Sequence, residues 1–108
     1  MQDDTTYHAL ANATLLHLAD RLEDAFDEGA IDDFEHGETV LSIEAGGKVV
    51  VVSKHEATRQ IWLASPISGG LHFFFDSPSQ SWITAEGNEL KRTLAQELAQ
   101  LCGARLIF

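Results

Sequence analysis

The sequence predicts an α+β fold: a two-layer α/β sandwich with two helices packed on one face of a mostly antiparallel sheet of about six strands. Three observations carry this expectation. Apolar residues recur at helical spacing near both ends of the chain. Between those ends, short β-branched and aromatic runs alternate with turns bearing Gly, Pro and Ser. The 108 residues suffice for one core and not two, so residues 1–108 read as a single domain.

The first helix is expected from about Thr5 to Glu28. Ala11, Leu15, Leu18, Leu22 and Phe26 form one apolar stripe, with Asp3, Asp4 and Thr5 as candidate caps and Gly29 as the stop. A strand follows near Ile31 to Glu35, where polar and apolar positions alternate poorly and a bulge is one resolution. Val40 to Glu44 and Lys48 to Ser53 flank Ala45-Gly46-Gly47, a hairpin signal. Arg59 to Ala64 is the next strand, ended by Ser65-Pro66-Ile67-Ser68-Gly69-Gly70. Leu71 to Phe75, a turn at Ser77-Pro78-Ser79, and Ser81 to Thr84 complete the sheet. In the closing helix Asn88 is the expected N-cap, Leu90, Leu94, Leu98 and Leu101 the stripe, and Gly103 the C′ residue. The tail Ala104 to Phe108 is too apolar to stand in water and is expected to fold back on the helices.

Composition narrows the function classes. A hydrophobic content of 44% is that of a folded protein, while 17 Asp and Glu against 7 Lys and Arg leave a net charge of −10. Such a surface repels phosphate backbones and anionic membranes and attracts cations and basic proteins, which disfavours nucleic acid and membrane as partners. With Cys102 alone, neither an intramolecular disulfide nor a thiolate cluster can form. No run approaches transmembrane length, and Met1-Gln2-Asp3-Asp4 resembles neither a signal nor a transit segment. A cytoplasmic location is expected; an organellar protein after processing would read the same way.

The charge is concentrated. Asp20, Glu23, Asp24, Asp27 and Glu28 occupy the last turns of the first helix at spacings of three and four, and Asp32, Asp33 and Glu35 extend the patch. Each like-charged pair at that spacing costs roughly 0.2–0.5 kcal/mol, about 1–2 kcal/mol over the group. Carboxylates at a helix C-terminus also face the negative end of the macrodipole, and only Arg21 offers local relief. Local rules are broken in this way at functional sites; the competing reading is a solvated acidic face. Carboxylate oxygens suit Mg, Ca, Mn and iron, but no EF-hand spacing is present and ligands on a convex face cannot enclose an ion. Binding is therefore expected to be weak, multiple and poorly selective. His17 could join the patch, and His8 lies two turns earlier; a lone histidine is more often structural or simply exposed than a ligand.

Nothing marks a catalyst. The histidines His8, His17, His36, His55 and His72 show no HExxH spacing, and there is no P-loop, GxGxxG or GxSxG. The carboxylates lie on a convex face, whereas a general acid needs a water-poor pocket. Two registers are open for the Arg59 to Ala64 strand. If Ile61 and Leu63 face the core, Gln60 and Trp62 share the open sheet face and Trp62 is an interface anchor; in the other register Trp62 is core. Trp82, in a short strand, reads as buried.

The run Gln60-Ile61-Trp62-Leu63-Ala64-Ser65-Pro66-Ile67-Ser68-Gly69 resembles the central signature of the frataxin family, which includes the bacterial CyaY-like proteins. Val40-Leu41-Ser42-Ile43 is similar to the family's earlier strand and Ser81-Trp82-Ile83 to its later Trp strand, and the order of elements agrees along nearly the whole chain. Two places depart from the pattern: Ser53-Lys54-His55-Glu56-Ala57 lacks the proline usual in that loop, and Asp33-Phe34-Glu35-His36 aligns imperfectly with the first strand. The resemblance implies an α/β sandwich that binds ferrous and ferric iron weakly and exchangeably, with no organic cofactor. It further implies a role in iron–sulfur cluster assembly through contact with a cysteine desulfurase and an iron–sulfur scaffold protein. Carried onto this chain, the implied iron candidates are Asp20, Glu23, Asp24, Asp27, Glu28 and Asp32, with Asp4 and His8 matching a site on the N-terminal helix. Gln60 and Trp62 match the sheet positions that contact the machinery, while Asp24 and Asp27 belong to the docking ridge. The expectation is a non-enzymatic modulator, monomeric or oligomerising with iron, in a bacterial cytoplasm or a mitochondrial matrix. An iron store or ferroxidase that assembles with iron is the alternative, and a plain acidic interaction domain the third.

Overall fold

The computed structural model describes residues 4–108, with side chains described from Thr6 onward. Helix α1 (Asp4–Asp27) opens the chain, followed by β1 (Asp33–His36), β2 (Val40–Ala45), β3 (Lys48–His55), β4 (Gln60–Ser65), β5 (Gly69–Asp76), β6 (Ser81–Ile83) and helix α2 (Leu90–Cys102). The strands pair in chain order, each antiparallel to the next, as a six-stranded open sheet. Every connection is therefore a local turn, and both helices are left to cover one face. The α+β two-layer sandwich expected from the sequence is the fold observed.

The core lies between that face and the helices. From α1 it takes Tyr7, Ala11, Leu15, Leu18, Ala19, Leu22 and Ala25, and from α2 Leu90, Leu94 and Leu98. The expected stripe on α1 thus holds through Leu22 and then diverges. Phe26 is 43% exposed and packs edge-to-face on Phe34 of β1, 6.1 Å between centroids, while Ala25 turns inward. The α-helical repeat of 3.6 residues makes Leu22 to Ala25 as good a continuation as Leu22 to Phe26.

The end of α1 is a Schellman turn. Gly29, at φ 78°, donates to Phe26 O at 3.0 Å, and Ala30 N–H reaches back to Ala25 O at 2.8 Å. A left-handed residue is needed there, and glycine adopts it without a Cβ penalty. The candidate cap Asp3 lies outside the described residues; Asp4 is already helical.

At α2 the expected cap is displaced by one residue. Glu89, not Asn88, precedes the helix in extended conformation, and its carboxylate accepts from Lys91 N at 2.9 Å and Arg92 N at 3.1 Å. Asn88 serves the preceding turn through its backbone, its N–H donating to Thr84 Oγ1 and its carbonyl accepting from Thr84 N. The single bridge between Ile83 and Glu89 holds the chain extended up to Glu89 and so delays the helix. At the other end Gly103, at φ 75°, donates to Ala99 O, as expected of a C′ glycine.

The hairpin turn Gly46-Gly47 has φ of 60° and 76°, the two-residue geometry that matches strand twist. It sets the pairing of β2 and β3 from Ala45↔Lys48 to Val40↔Ser53. Past α2 the tail folds back as expected. Ala104 is buried and Leu106 and Phe108 pack against the core, whereas Ile107 is 87% exposed. No helix among the described residues is long and apolar enough to cross a membrane.

Candidate functional site: an acidic ridge and a stacked aromatic row

Two surfaces stand out, on different sides of the sheet. The first is the acidic end of α1. Asp20, Glu23, Asp24, Asp27, Glu28 and Asp32 are all exposed. The chain leaves this end by the Schellman turn, so the last carboxylates of the helix continue directly to Asp32. Arg21 pairs with Asp24 at 3.4 Å, an exposed i,i+3 contact worth a few tenths of a kcal/mol, roughly 0.3–0.5. Among the described residues, the side chains of Asp20, Glu23, Asp27 and Glu28 have no hydrogen bond or ion pair. The local strain anticipated from their spacing is thus left standing, with the charge turned to solvent.

Two features of this end depend on the tertiary fold. Asp32 Oδ2 accepts from Gly47 N at 3.3 Å, so one ridge carboxylate also braces the β2–β3 turn. The returning tail brings Arg105 beside the last turns of α1, where a shallow groove of about 320 Å³ lies between Asp24, Asp27, Glu28 and the segment Arg105–Ile107. His17 is drawn away from the ridge, its Nε2–H donating to Phe108 O at 2.6 Å.

The donors have the right chemistry for a hard cation, but among the described residues no group of three His, Cys, Asp or Glu side chains converges on one point. An ion here would meet at most two such side chains among the described residues, with water completing its shell. His8 sits in a different environment. Its Nδ1 accepts from the Lys54 ammonium at 3.1 Å, and Lys54 also donates to Asn12 Oδ1 at 3.0 Å while Glu56 stands 4.0 Å from both. The Lys54 side chain is only 7% exposed, so a fixed positive charge occupies this corner. The side chain of Asp4 lies outside the described residues.

The second surface is the sheet face that the helices leave open. Of the two registers, the structure adopts the one with Ile61 and Leu63 fully buried, so Gln60 and Trp62 lie on the open face. Trp62 stands opposite Ser53 on β3 and His72 on β5. Its indole is sandwiched: the His55 ring stacks on one side, 3.4 Å between centroids and 16° from parallel, and the His72 ring on the other, 4.1 Å and 11°. Trp62 Nε1–H donates to Gln60 Oε1 at 2.7 Å, which satisfies the one polar atom of the indole and fixes the ring. Trp82, by contrast, is 3% exposed and donates to Thr14 Oγ1 at 2.9 Å, the buried role expected of it.

Sequence reasoning did not find His55 and His72 as neighbours of Trp62. The alternation of β3 and β5 places both on the open face, but their meeting at Trp62 depends on the β3–β4 turn. That turn is a short 3₁₀ helix, Glu56–Thr58, closed by Arg59 at φ 53°. Tyr7 of α1 supports β4 from the other side. Its hydroxyl donates to Gln60 O at 2.7 Å, and its pKa is pushed up to about 12 by burial, which outweighs a lowering by the His55 backbone and is joined by a still smaller push from the Glu56 charge.

The architecture defined so far is an α+β sandwich that presents an acidic ridge and an aromatic open sheet face. Residues 1–104 match the family described as "Frataxin-like domain". The chain is 38% identical over 101 residues to mitochondrial frataxin of Arabidopsis thaliana, with 90% of this chain aligned. It is 34% identical over 108 residues to the iron–sulfur cluster assembly protein CyaY of Pseudomonas putida strain GB-1, with 97% of this chain aligned. The chain spans 54% of the plant protein's length and 94% of the bacterial one's. Among solved structures it is similar to frataxin from Psychromonas ingrahamii, with a TM-score of 0.77 at 18% identity over 98% of this chain and 97% of that one. It is also similar to trimeric frataxin of Saccharomyces cerevisiae, with a TM-score of 0.74 at 31% identity over 85% and 78%. The chain belongs to the frataxin family.

Proposed function

We propose that this protein modulates iron–sulfur cluster assembly without being an enzyme, docking its acidic ridge on a complex of cysteine desulfurase and iron–sulfur scaffold. A role in iron–sulfur cluster assembly is supported by the name of the Pseudomonas putida relative, which aligns along nearly the whole of both chains. The observation that carries the docking reading is the row of solvent-facing carboxylates at the end of α1, of which Asp20, Glu23, Asp27 and Glu28 have no side-chain partner among the described residues, at a local cost in helix stability. A field of that sign steers a basic surface into encounter, and Gln60 and Trp62 on the open sheet face then fix the orientation. Iron binds the same carboxylates weakly and exchangeably, as cargo. Because bound iron neutralises the ridge, metal and partner binding are coupled and each weakens the other. The kinship with bacterial and mitochondrial proteins supports a bacterial cytoplasm or a mitochondrial matrix as the place of action.

The test is cysteine desulfurase turnover with scaffold and ferrous iron, with and without this protein. A rate change that high salt or the double reversal Asp24→Lys/Asp27→Lys abolishes supports the reading. No change at saturating protein would overturn it. A second reading is favoured by one specific observation, that a solved relative is a yeast frataxin trimer complexed with ferrous iron. On that reading the chain stores or oxidises iron as an oligomer, and iron-driven assembly with accelerated Fe(II) oxidation would be seen instead.

A further inference from the structure

From the stack of His55, Trp62 and His72 we infer that the open sheet face is proton-responsive: protonation of the two imidazoles turns it from neutral to cationic and weakens the docking of a basic partner. This inference rests on the docking reading above. The geometry has three parts. Both histidines present a ring face to the same indole, at 3.4 and 4.1 Å, so each charge appears directly beside the residue that would anchor a partner. Trp62 Nε1 is already committed to Gln60 Oε1, so the indole keeps its place when its neighbours charge. An imidazolium over an indole face is itself attractive, so protonation leaves the stack standing and alters what the surface presents.

Histidine is the side chain whose ordinary titration falls between about pH 5 and 8, whereas carboxylates as a class ordinarily titrate near pH 4. The surface drawing a basic partner therefore persists while the anchoring surface becomes repulsive to it. The charged groups around the stack leave the row itself free of carboxylates. Glu86 shares a shallow groove with His72 beside the end of β6. Glu56 follows His55 but stands near His8 and Lys54. Asp76, further along β5, is engaged by Ser79, and Arg59 precedes Gln60 at the start of β4. On β2 the row ends at Val40, and Glu44 lies four pairs away along the strand, opposite Asp33 of β1. Both helices pack on the other face, so among the described residues no helical charge faces the stack.

The experiment has two arms. In the first, tryptophan emission of the free protein is titrated from about pH 8 to about pH 5. A sigmoidal change is expected in the wild type, and its absence in His55→Gln/His72→Gln and in Trp62→Phe. A flat wild-type profile, or a transition that survives in the histidine double variant, would overturn the proposal. In the second, affinity for the desulfurase–scaffold complex is measured at both ends of that range. Roughly tenfold weaker binding at the acid end is expected for the wild type, with a clearly smaller loss for the double variant, since like charge at an interface selects against a partner. Equal losses in the two proteins would overturn control of docking by the stack. Absence of binding at any pH would instead sink the docking reading itself, with the emission titration still deciding whether the stack responds to protons.

Discussion

Tyr7 shows how a single buried polar group ties the sheet to the helix. Its hydroxyl bonds the carbonyl of Gln60, the residue whose side chain holds Trp62. Its pKa is raised from 10.0 to about 12, so the folded chain keeps the phenolic proton longer than the unfolded chain does. That contribution to stability is complete below pH 10 and is lost as pH rises through about 12. As this is the only tyrosine, phenolate absorbance reads it directly. Tyr7→Phe is expected to cost about 1 kcal/mol at neutral pH, from the lost hydrogen bond, and to flatten the alkaline fall in stability followed by chemical denaturation.

Gly46 makes a second residue-scale case. A Cβ there would stand 2.0 Å from the Leu101 carbonyl oxygen, and φ is +60°. Gly47 has φ +76° with nothing within 4 Å. Gly46→Ala is therefore expected to cost about 2–4 kcal/mol and Gly47→Ala about 1 kcal/mol. Equal costs, measured as urea midpoints, would show that the approach of α2 to the hairpin is looser than described. Glu97 is also informative: it is 5% exposed and its Oε1 has no hydrogen-bond partner among the described residues. Replacing such a group by an apolar one of similar shape removes an unmet desolvation cost, so Glu97→Met is expected to leave stability equal or raise it by about 1 kcal/mol.

At the scale of elements, the two helix ends behave in opposite ways. The start of α2 is capped by Glu89, so Glu89→Ala is expected to lower stability by about 1 kcal/mol, while the side chain of Asn88 can be removed with little effect. The end of α1 is stabilised by the Gly29 turn and opposed by its own carboxylates. Asp27→Lys removes a charge that faces the macrodipole and sets an ammonium one turn after Glu23, the favourable order for such a pair. The expected gain is about 0.5–1 kcal/mol. In a domain of this size that is a rise of roughly 2–8 °C in Tm. Asp24→Lys should gain less, because Asp24 already has Arg21 at 3.4 Å. A fall in Tm for Asp27→Lys would mean that the ridge is not strained, removing the main physical reason to treat it as functional.

For the whole molecule, the separation of the two surfaces matters most. The ridge gathers carboxylates at the end of a helix, and the aromatic row lies on the face the helices do not cover. Ridge attraction should fall with ionic strength, since exposed charges are screened beyond roughly 8–10 Å in 0.1–0.15 M salt. Contacts made by Trp62 should not. Docking of Trp62→Ala is therefore expected to weaken at every salt concentration, and docking of Asp24→Lys/Asp27→Lys chiefly at low salt.

Much of the fold was legible because its signals are local. The apolar steps of both helices, the two-glycine hairpin and the alternation around Trp62 each depend on a few adjacent residues, and nearly all the elements arise where those residues place them. The ridge was legible for the same reason, because helical spacing alone sets like charges side by side. What stayed hidden depends on separated segments meeting. The sequence pointed to Phe26 as the end of the stripe, and in the fold Ala25 turns inward instead while Phe26 packs on Phe34. It offered Asn88 as the better cap, and a single bridge at Ile83 carried the extended chain one residue further to Glu89. It placed Gln60 and Trp62 together but could not supply the β3–β4 register that closes His55 and His72 around the indole, nor the Lys54 that occupies the side of His8. Spacing along one chain segment determines which residues share a face; only tertiary packing, which sets register and distance between segments, decides which of them touch.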